Sequence, residues 1–180
     1  MCLYPDNDKA VRAKKDIICY KVVYKHSKLV NNDHPSFTSA VQGFIYRLGE
    51  GYVSNWFMKH VTTGEVRFGF HSYMTETLAQ NHTSGRNEII LKCVIPKGTL
   101  YFTGNNFLTP GETGYTLNQY CSSRVRVIGW RFPDGLGYED TSWHIWPQWN
   151  TDPVGMKWWM KLIVKVKNLF IDAGVTVYTK

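Results

Sequence analysis

The chain has 180 residues, of which 43% are hydrophobic and 15% aromatic, so a single domain with a sizeable core is expected. No apolar stretch of the sequence approaches the roughly 18 residues that a membrane span needs, and the first residues carry no hydrophobic signal region. We therefore expect a cytoplasmic protein without a membrane partner, and the formal net charge of +7 favours an anionic partner.

Strand-like segments follow one another through the first two thirds of the chain. After an irregular or helical lead-in over 1–16, residues 17–24 are dominated by the β-branched and aromatic side chains that favour strands. Turn-forming residues separate the further strands predicted at 37–46, 52–57, 66–70, 88–95, 99–103 and 123–132. Thr75 supplies the capping oxygen for a short helix over 76–81. We therefore expect a β-rich body over 17–130, built on an antiparallel or mixed sheet of half-barrel shape.

The last third of the chain has a different character. Six of the seven tryptophans lie between positions 130 and 159. Asp152 and Pro153 form a helix start, which predicts a longer helix over about 153–171, followed by a terminal strand. We expect 131–180 to be a tryptophan-rich extension packed on the body. The whole chain, 1–180, is then a single α+β domain with one short central helix and one longer C-terminal helix.

The cysteines and histidines do not follow a metal-binding pattern. The four cysteines are widely spaced, without a C-x-x-C pair or clustered histidines, so we expect neither a metal nor another cofactor. Cys19 and Cys93 lie within strand-like apolar runs, where a free thiol packs as a small hydrophobic side chain. A nucleophilic thiol is the alternative.

A predicted strand turns toward the short helix at Gly69, and His71 lies at this junction. Such junctions expose side chains together with helix-terminal amides, which favours an anionic ligand. His71 is therefore a candidate ligand-binding residue. The alternative is that Gly69 only permits a tight bend, while Phe70 and Tyr73 fill the core.

The start of the tryptophan-rich region contains a second group of candidates. Arg124, Arg126 and Arg131 lie near Trp130 and are interspersed with apolar valines, so one face of this predicted strand is basic. Aromatic rings among basic side chains stack nucleobases, while the cations follow phosphates. The candidate ligand-binding residues here are Arg124, Arg126, Trp130, Trp143 and Trp146. Core packing or a protein interface is the other meaning of these tryptophans.

Several motifs occur in a recognisable order along the chain. They are DIICYKV at 16–22, GFIYRLG at 43–49, GFHSY at 69–73, CVIPKGT at 93–99 and YCSS at 120–123, after an initial Met1-Cys2-Leu3. In this order they resemble a group of small uncharacterised proteins of Bacteroidales gut bacteria and their phages, over about residues 1–130. The resemblance implies a phage or mobile-element setting.

A second, more distant resemblance is to the ADP-ribosyltransferases. In that family an opening strand ends in Arg or His, a glycine-led strand carries Ser or Tyr before a helix, and a later strand supplies a glutamate. Lys21 stands where the family has Arg or His. The resemblance implies NAD as a cosubstrate, with Ser72 or Tyr73 against the nicotinamide ribose and Glu112 as the catalytic acid. Glu139 is the other glutamate in the required order.

These observations favour a non-enzymatic binding protein that captures a nucleotide or another anionic partner. In the phage setting it is a counter-defence accessory factor, and its partner is a host signal or a host protein. An enzyme similar to the ADP-ribosyltransferases is the first alternative. The second is a virion or assembly component whose tryptophans form a subunit interface, which leaves a homo-oligomer open.

Overall fold

The computed structural model describes residues 3–25, 36–39, 43–55, 57–85, 87–105 and 118–145, and the backbone of a strand at 175–178. These residues form one antiparallel, half-barrel sheet of 13 strands and a separate two-stranded sheet. The strands of the large sheet are β1 (Tyr4–Pro5), β2 (Val11–Arg12), β3 (Ile17–Lys25), β4 (Ser36–Ser39), β5 (Ile45–Arg47), β6 (Gly51–Ser54), β9 (Phe70–Tyr73), β10 (Glu88–Ile95), β11 (Leu100–Asn105), β12 (Gln119–Ser122), β13 (Arg124–Arg131), β14 (His144–Ile145) and β15 (Val175–Tyr178). The small sheet consists of β7 (Met58–Lys59) and β8 (Val66–Phe68), and helix α1 spans Glu76–Asn81.

The large sheet is organised around the pair β3 and β10. Its hydrogen-bonded order is β1-β11-β12-β9-β3-β10-β13-β6-β15, while β2 pairs with β11, β14 with β13, and β4 with both β3 and β5. Eight successive residue pairs join β3 to β10, from Ile17 opposite Ile95 to Tyr24 opposite Glu88. Because β-branched and aromatic side chains fit a pleated surface, these two segments form the longest paired strands at the centre.

The inner face of the sheet carries the main hydrophobic core. Alternate residues of β3, β10 and β13 point to this face, and the buried ones are Cys19, Val23, Ile89, Leu91, Cys93, Ile95, Val125 and Val127. Phe44 packs its ring against Tyr46, Tyr52 and Phe70, with centroid distances of 4.9, 5.2 and 6.1 Å. Each such buried side chain stabilises the fold by about 1.5–3 kcal/mol.

The outer face of the sheet is covered in part by α1. The helix begins after Thr75, whose hydroxyl accepts a hydrogen bond from the Leu78 amide at 3.3 Å, so the predicted capped helix over 76–81 is confirmed. Its Ala79 is fully buried against Tyr73 of β9 and Ile90 of β10. These contacts fix the outer surface of β3 and β10 next to the helix.

A β-bulge in β13 changes which face its last residues address. Lys92 pairs with Gly129, but the next residue, Cys93, pairs with Val127, so Ile128 is an extra residue in the ladder. An extra residue reverses the alternation that follows it. Trp130 therefore points to the inner face, opposite Leu91, and Arg131 points to the outer face, opposite Ile90.

One edge of β3 is shared by two strands, which leaves a fork in the sheet. β9 meets β3 through a single pair, Tyr20 with Tyr73. Further along the same edge, β4 takes over, from Val23 opposite Ser39 to Lys25 opposite Phe37. Between these pairings the backbone of β9 diverges from β3. Lys21 lies at this opening, which we call the strand fork.

The expected α+β class is wrong for the part of the chain that the structure describes. That part is strand-rich, and α1, with six residues, is its only helix. The longer helix expected over about 153–171 falls outside the described residues. The terminal strand is present as β15, which pairs with β6. The lead-in contributes β1 and β2, and no helix of the described part is long and apolar enough to cross a membrane.

Candidate ligand-binding site

Trp143 lies on the outer face of the sheet among cations and a second aromatic ring. The Lys92 Nζ is 5.4 Å from the Trp143 ring centroid, and the Arg131 guanidinium carbon is 5.6 Å from it. The Tyr20 ring is tilted against the indole at a centroid distance of 6.0 Å. Both aromatic residues are only partly buried. Cations over an indole face are attracted by its quadrupole, so the cluster is held together without a hydrogen bond to the indole.

Strand β14 brings Trp143 to this position. His144 pairs with Trp130, and the two rings stack at 4.2 Å with an interplanar angle of 18°. Successive residues of an extended chain point to opposite sides, so Trp143 faces away from that stack. Trp130 packs instead against Phe37 at 5.9 Å. The structure therefore places Trp130 on the inner face and Trp143 on the outer face.

The two cations over Trp143 differ in how their charges are compensated. Arg131 is buried and forms ion pairs with Glu76 and Asp134, both at 2.9 Å. The hydrogen bonds from Arg131 hold the pKa of Asp134 below its usual range. Lys92, in contrast, has no carboxylate partner among the described residues. Arg131 thus anchors the cluster, while Lys92 offers an uncompensated charge.

Arg126 and Arg124 extend the positive charge along the same face. Arg126 lies opposite Val94, which is two residues from Lys92 on β10 and points to the same side. Arg124 lies two residues before Arg126 on the same strand, so both side chains point to the same face. Arg124 is exposed. We call the set Tyr20, Lys92, Arg124, Arg126 and Trp143 the outer patch.

His71 is not part of the outer patch. It lies on β9, which is separated from β13 by β3 and β10, and only 7% of it is exposed. Its Nε2 is 3.6 Å from the Cys121 Sγ on the neighbouring strand. Burial and the charge of Lys21 lower the pKa of His71 to about 3, so the ring is neutral at physiological pH. Trp146 lies outside the described residues.

The residues of the ADP-ribosyltransferase resemblance are only partly brought together. Ser72 and Tyr73 are neighbours on β9 and face opposite sides of the sheet, with Tyr73 packed under α1. Gln119 lies opposite Tyr73. Glu139 is exposed in the segment after β13, on the far side of β10 and β3, and Glu112 lies outside the described residues.

Gln119 itself was missed by the sequence reasoning. Its side chain is 1% exposed, and within the described part of the chain neither the oxygen nor the nitrogen of its amide has a hydrogen-bond partner. A buried polar group without a partner costs about 1–3 kcal/mol, so such a group is uncommon in a core. No strand was predicted at Gln119–Ser122, so the sequence held no signal for this residue.

Lys92 and Tyr20 were also missed as binding residues, although the sequence holds a signal for both. Lys92 interrupts a run of apolar residues in the predicted strand over 88–95, and Tyr20 lies in the predicted strand over 17–24. Alternation along 17–24 and 88–95 places both on the face opposite the cysteines. The contact with Trp143 was not deducible, because it depends on β14.

The comparisons with known proteins identify no relative of this chain. No protein-family model, no curated protein and no solved structure matches it. Within the ranges that the structure describes, no group of three or more His, Cys, Asp or Glu side chains is placed to hold a metal ion.

Proposed function

We propose that this protein is a non-enzymatic binding protein that captures a nucleotide, or another anionic partner, on the outer patch. The observation that carries the proposal is the partly exposed Trp143 ring, with Tyr20 at its side and the Lys92 ammonium over it. Aromatic stacking with a base contributes about 1–3 kcal/mol, and neighbouring cations hold phosphates. The outer patch therefore offers an aromatic ring for the base and a cation for the phosphate.

The binding step follows from the different partners of the two cations. Lys92 leaves the face of Trp143 and turns to a phosphate, which breaks no ion pair because Lys92 has no carboxylate partner in the described chain. The base then stacks on the ring face that Lys92 has left. Arg131 stays in place, because Glu76 and Asp134 hold it. Arg124 and Arg126 add positive charge that attracts the anion over a longer range.

The proposal extends to the setting implied by the Bacteroidales resemblance. In a phage or mobile element, a cytoplasmic protein that sequesters a nucleotide removes a signal from a host defence pathway. This counter-defence role needs affinity and no chemistry. A host protein with an acidic surface is the other anionic partner that the outer patch favours.

The test is isothermal titration of the full chain with a panel of mono-, di- and cyclic nucleotides, with inorganic phosphate and the free nucleosides as controls. We expect at least one nucleotide to bind more tightly than either phosphate or its own nucleoside, and to quench tryptophan fluorescence. Mass spectrometry of the denatured protein is expected to detect a co-purified nucleotide. If no nucleotide binds and a pull-down from host lysate retains no protein, the proposal is wrong.

An enzyme similar to the ADP-ribosyltransferases is the second candidate. One observation favours it: β3 and β9, which carry the residues of the resemblance, are neighbours in the sheet and pair at Tyr20 and Tyr73. It requires consumption of NAD and label transfer to an acceptor. Tyr73→Phe and Ser72→Ala remove one hydroxyl each, and activity that is unchanged in both variants would contradict these residue assignments.

An assembly component is the third candidate. The hairpin of β7 and β8 exposes apolar side chains, with Met58 and Phe68 opposite each other and Val61 at the tip. Exposed apolar residues on one element favour a protein contact. Light scattering at high concentration tests this role, and a strictly monomeric protein argues against it.

A further inference from the structure

Lys21 occupies an unusual position at the strand fork. Its Nζ donates a hydrogen bond to the His71 carbonyl oxygen at 2.7 Å and lies 5.5 Å from the Tyr46 ring centroid. An ammonium group has three N–H donors. The structure gives no acceptor for the other two among the described residues, and no carboxylate forms an ion pair with Lys21 there.

The surroundings of Lys21 are apolar or uncharged. The titratable groups that interact electrostatically with Lys21 are the thiols of Cys19, Cys93 and Cys121 and the ring of His71, and the Tyr46 ring lies over its ammonium. Burial raises the pKa of Cys19 to about 12 and the pKa of Tyr46 well above its usual value, so neither supplies a negative charge at neutral pH. The same burial lowers the pKa of Lys21. A cation in such a place is costly unless an anion accompanies it.

Ser72 adds a second group without its full set of partners. It is 4% exposed and shares the inner face with Lys21, because its hydroxyl faces the thiol of Cys19. The hydroxyl has no hydrogen-bond partner in the described ranges. Lys21 is only partly buried as a residue, whereas the Ser72 hydroxyl is buried.

We propose that the strand fork is a second binding site, in which the Lys21 ammonium and the Ser72 hydroxyl hold a small oxyanion, a carboxylate or a phosphate. The anion supplies the charge that the described surroundings of Lys21 lack, and its oxygens accept the unused N–H and O–H donors. The site is separate from the outer patch, because Lys21 and Ser72 point to the inner face. It does not depend on nucleotide capture.

The direct test follows Lys21 itself in the unmodified protein. The ¹³C NMR signal of the Lys21 Cε, identified by its loss in Lys21→Arg, is followed against pH with and without saturating acetate or inorganic phosphate. An anion at the fork stabilises the charged amine, so we expect the pKa of Lys21 to rise by about one unit or more with the anion that binds. Comparing acetate with phosphate shows which oxyanion the site takes. A pKa of Lys21 that neither anion changes overturns the proposal.

Variants give the second test. Lys21→Met keeps the length of the side chain and removes its charge, and we expect it to weaken anion binding about tenfold to a hundredfold. Ser72→Ala is expected to weaken it about fivefold to tenfold. Lys97→Met, on an exposed turn, is the matched control and keeps full binding.

The outer patch provides the internal comparison. If Lys92→Gln abolishes binding of the small anion while Lys21→Met leaves it intact, the anion binds to the outer patch and the proposal is wrong. If Lys21→Met fails to fold, Ser72→Ala and the NMR titration of the unmodified protein decide. Nucleotide binding that is weakened in Lys92→Gln and unchanged in Lys21→Met shows that the two sites are independent.

Discussion

Lys92 and Lys21 are both lysines of the central strands, but they lie on opposite faces of the sheet. On the outer face, Lys92 covers the partly exposed indole of Trp143 and is free to move toward solvent. On the inner face, Lys21 is tied to the His71 carbonyl and surrounded by thiols. Removing the charge of these two lysines is therefore expected to have different effects. The outer one affects binding, and the inner one affects both stability and binding.

The β-bulge at Ile128 keeps the two faces distinct, so deleting this residue is expected to have the largest effect. Without it, Trp130 turns outward and Arg131 turns into the apolar inner core, away from Glu76 and Asp134. A buried charge that loses its partner costs about 3–5 kcal/mol, a large part of the stability of a domain. We expect the deletion variant to lose its cooperative unfolding transition, as followed by circular dichroism in urea.

Ile128→Val is the matched control for the deletion. It retains the residue count, and removing one buried methylene costs about 0.5–1.5 kcal/mol. A deletion variant that unfolds at the same urea concentration as Ile128→Val would show that the bulge does not set the orientation of Trp130 and Arg131.

The second prediction is that the stability of the protein depends on pH through the buried His71 on β9. The pKa of His71 is about 3 in the folded chain, against an ordinary value of 6.5, so between these values the unfolded chain binds more protons. Stability contributed by neutral His71 is therefore complete above pH 6.5 and is lost as the pH falls toward 3. The slope is up to about 1.4 kcal/mol per pH unit. Urea unfolding between pH 7 and 5 measures it, and His71→Gln is expected to reduce the slope. Equal slopes in both proteins would contradict the assignment.

The third prediction removes the aromatic part of the outer patch. Trp143→Ala is expected to weaken binding of the nucleotide found in the titration panel by about 1–3 kcal/mol, because a stacking surface is lost. Tyr24→Ala is the control and is expected to retain affinity. It removes an exposed ring of β3 that lies on the same face as Tyr20. An equal loss of affinity in both variants would contradict the assignment of Trp143 as the residue on which the base stacks.

The fourth and smallest effect comes from the charge of the outer patch. Lys92→Gln is expected to weaken nucleotide binding by about 1 kcal/mol or less, since the lysine is partly solvated. It is also expected to make the affinity less sensitive to salt, because screening acts on fewer charges. Titrations at low and high salt measure both, with Lys97→Gln as a control of equal charge change. A salt dependence that Lys92→Gln leaves unaltered would remove Lys92 from the site.

The strands and the short helix were predictable, because period-two alternation and capping are local signals. Thr75 and the strand over 88–95 are examples, and the predicted strand over 37–46 is replaced by β4 and β5. The basic face of β13 was predicted with Trp130 on it. In the structure the bulge places Trp130 on the opposite face from Arg124 and Arg126. The extra residue reverses the direction in which the side chains after Ile128 point, and the sequence pattern does not reveal it.

The candidate sites were less predictable than the strands. Trp143 was identified, but its neighbours Lys92 and Tyr20 come from two other strands that adjoin only in the sheet. Lys21 was noted solely through a family resemblance, and its contact with His71 joins residues 50 positions apart. No local pattern encodes such a contact, because it depends on where β9 leaves the edge of β3.

The strand fork also has a mechanical consequence. Eight residue pairs join β3 to β10 on one side, whereas a single pair joins β3 to β9 on the other. The boundary between β3 and β9, which we call the seam, is therefore the weakly paired part of the sheet. We expect amide hydrogens to exchange faster there than in β10. The hydrogen bond from the Lys21 ammonium to the His71 carbonyl joins the two strands across this seam. An anion that accepts the unused N–H donors of Lys21 leaves this bond in place, so we expect occupancy of the fork to hold the seam closed.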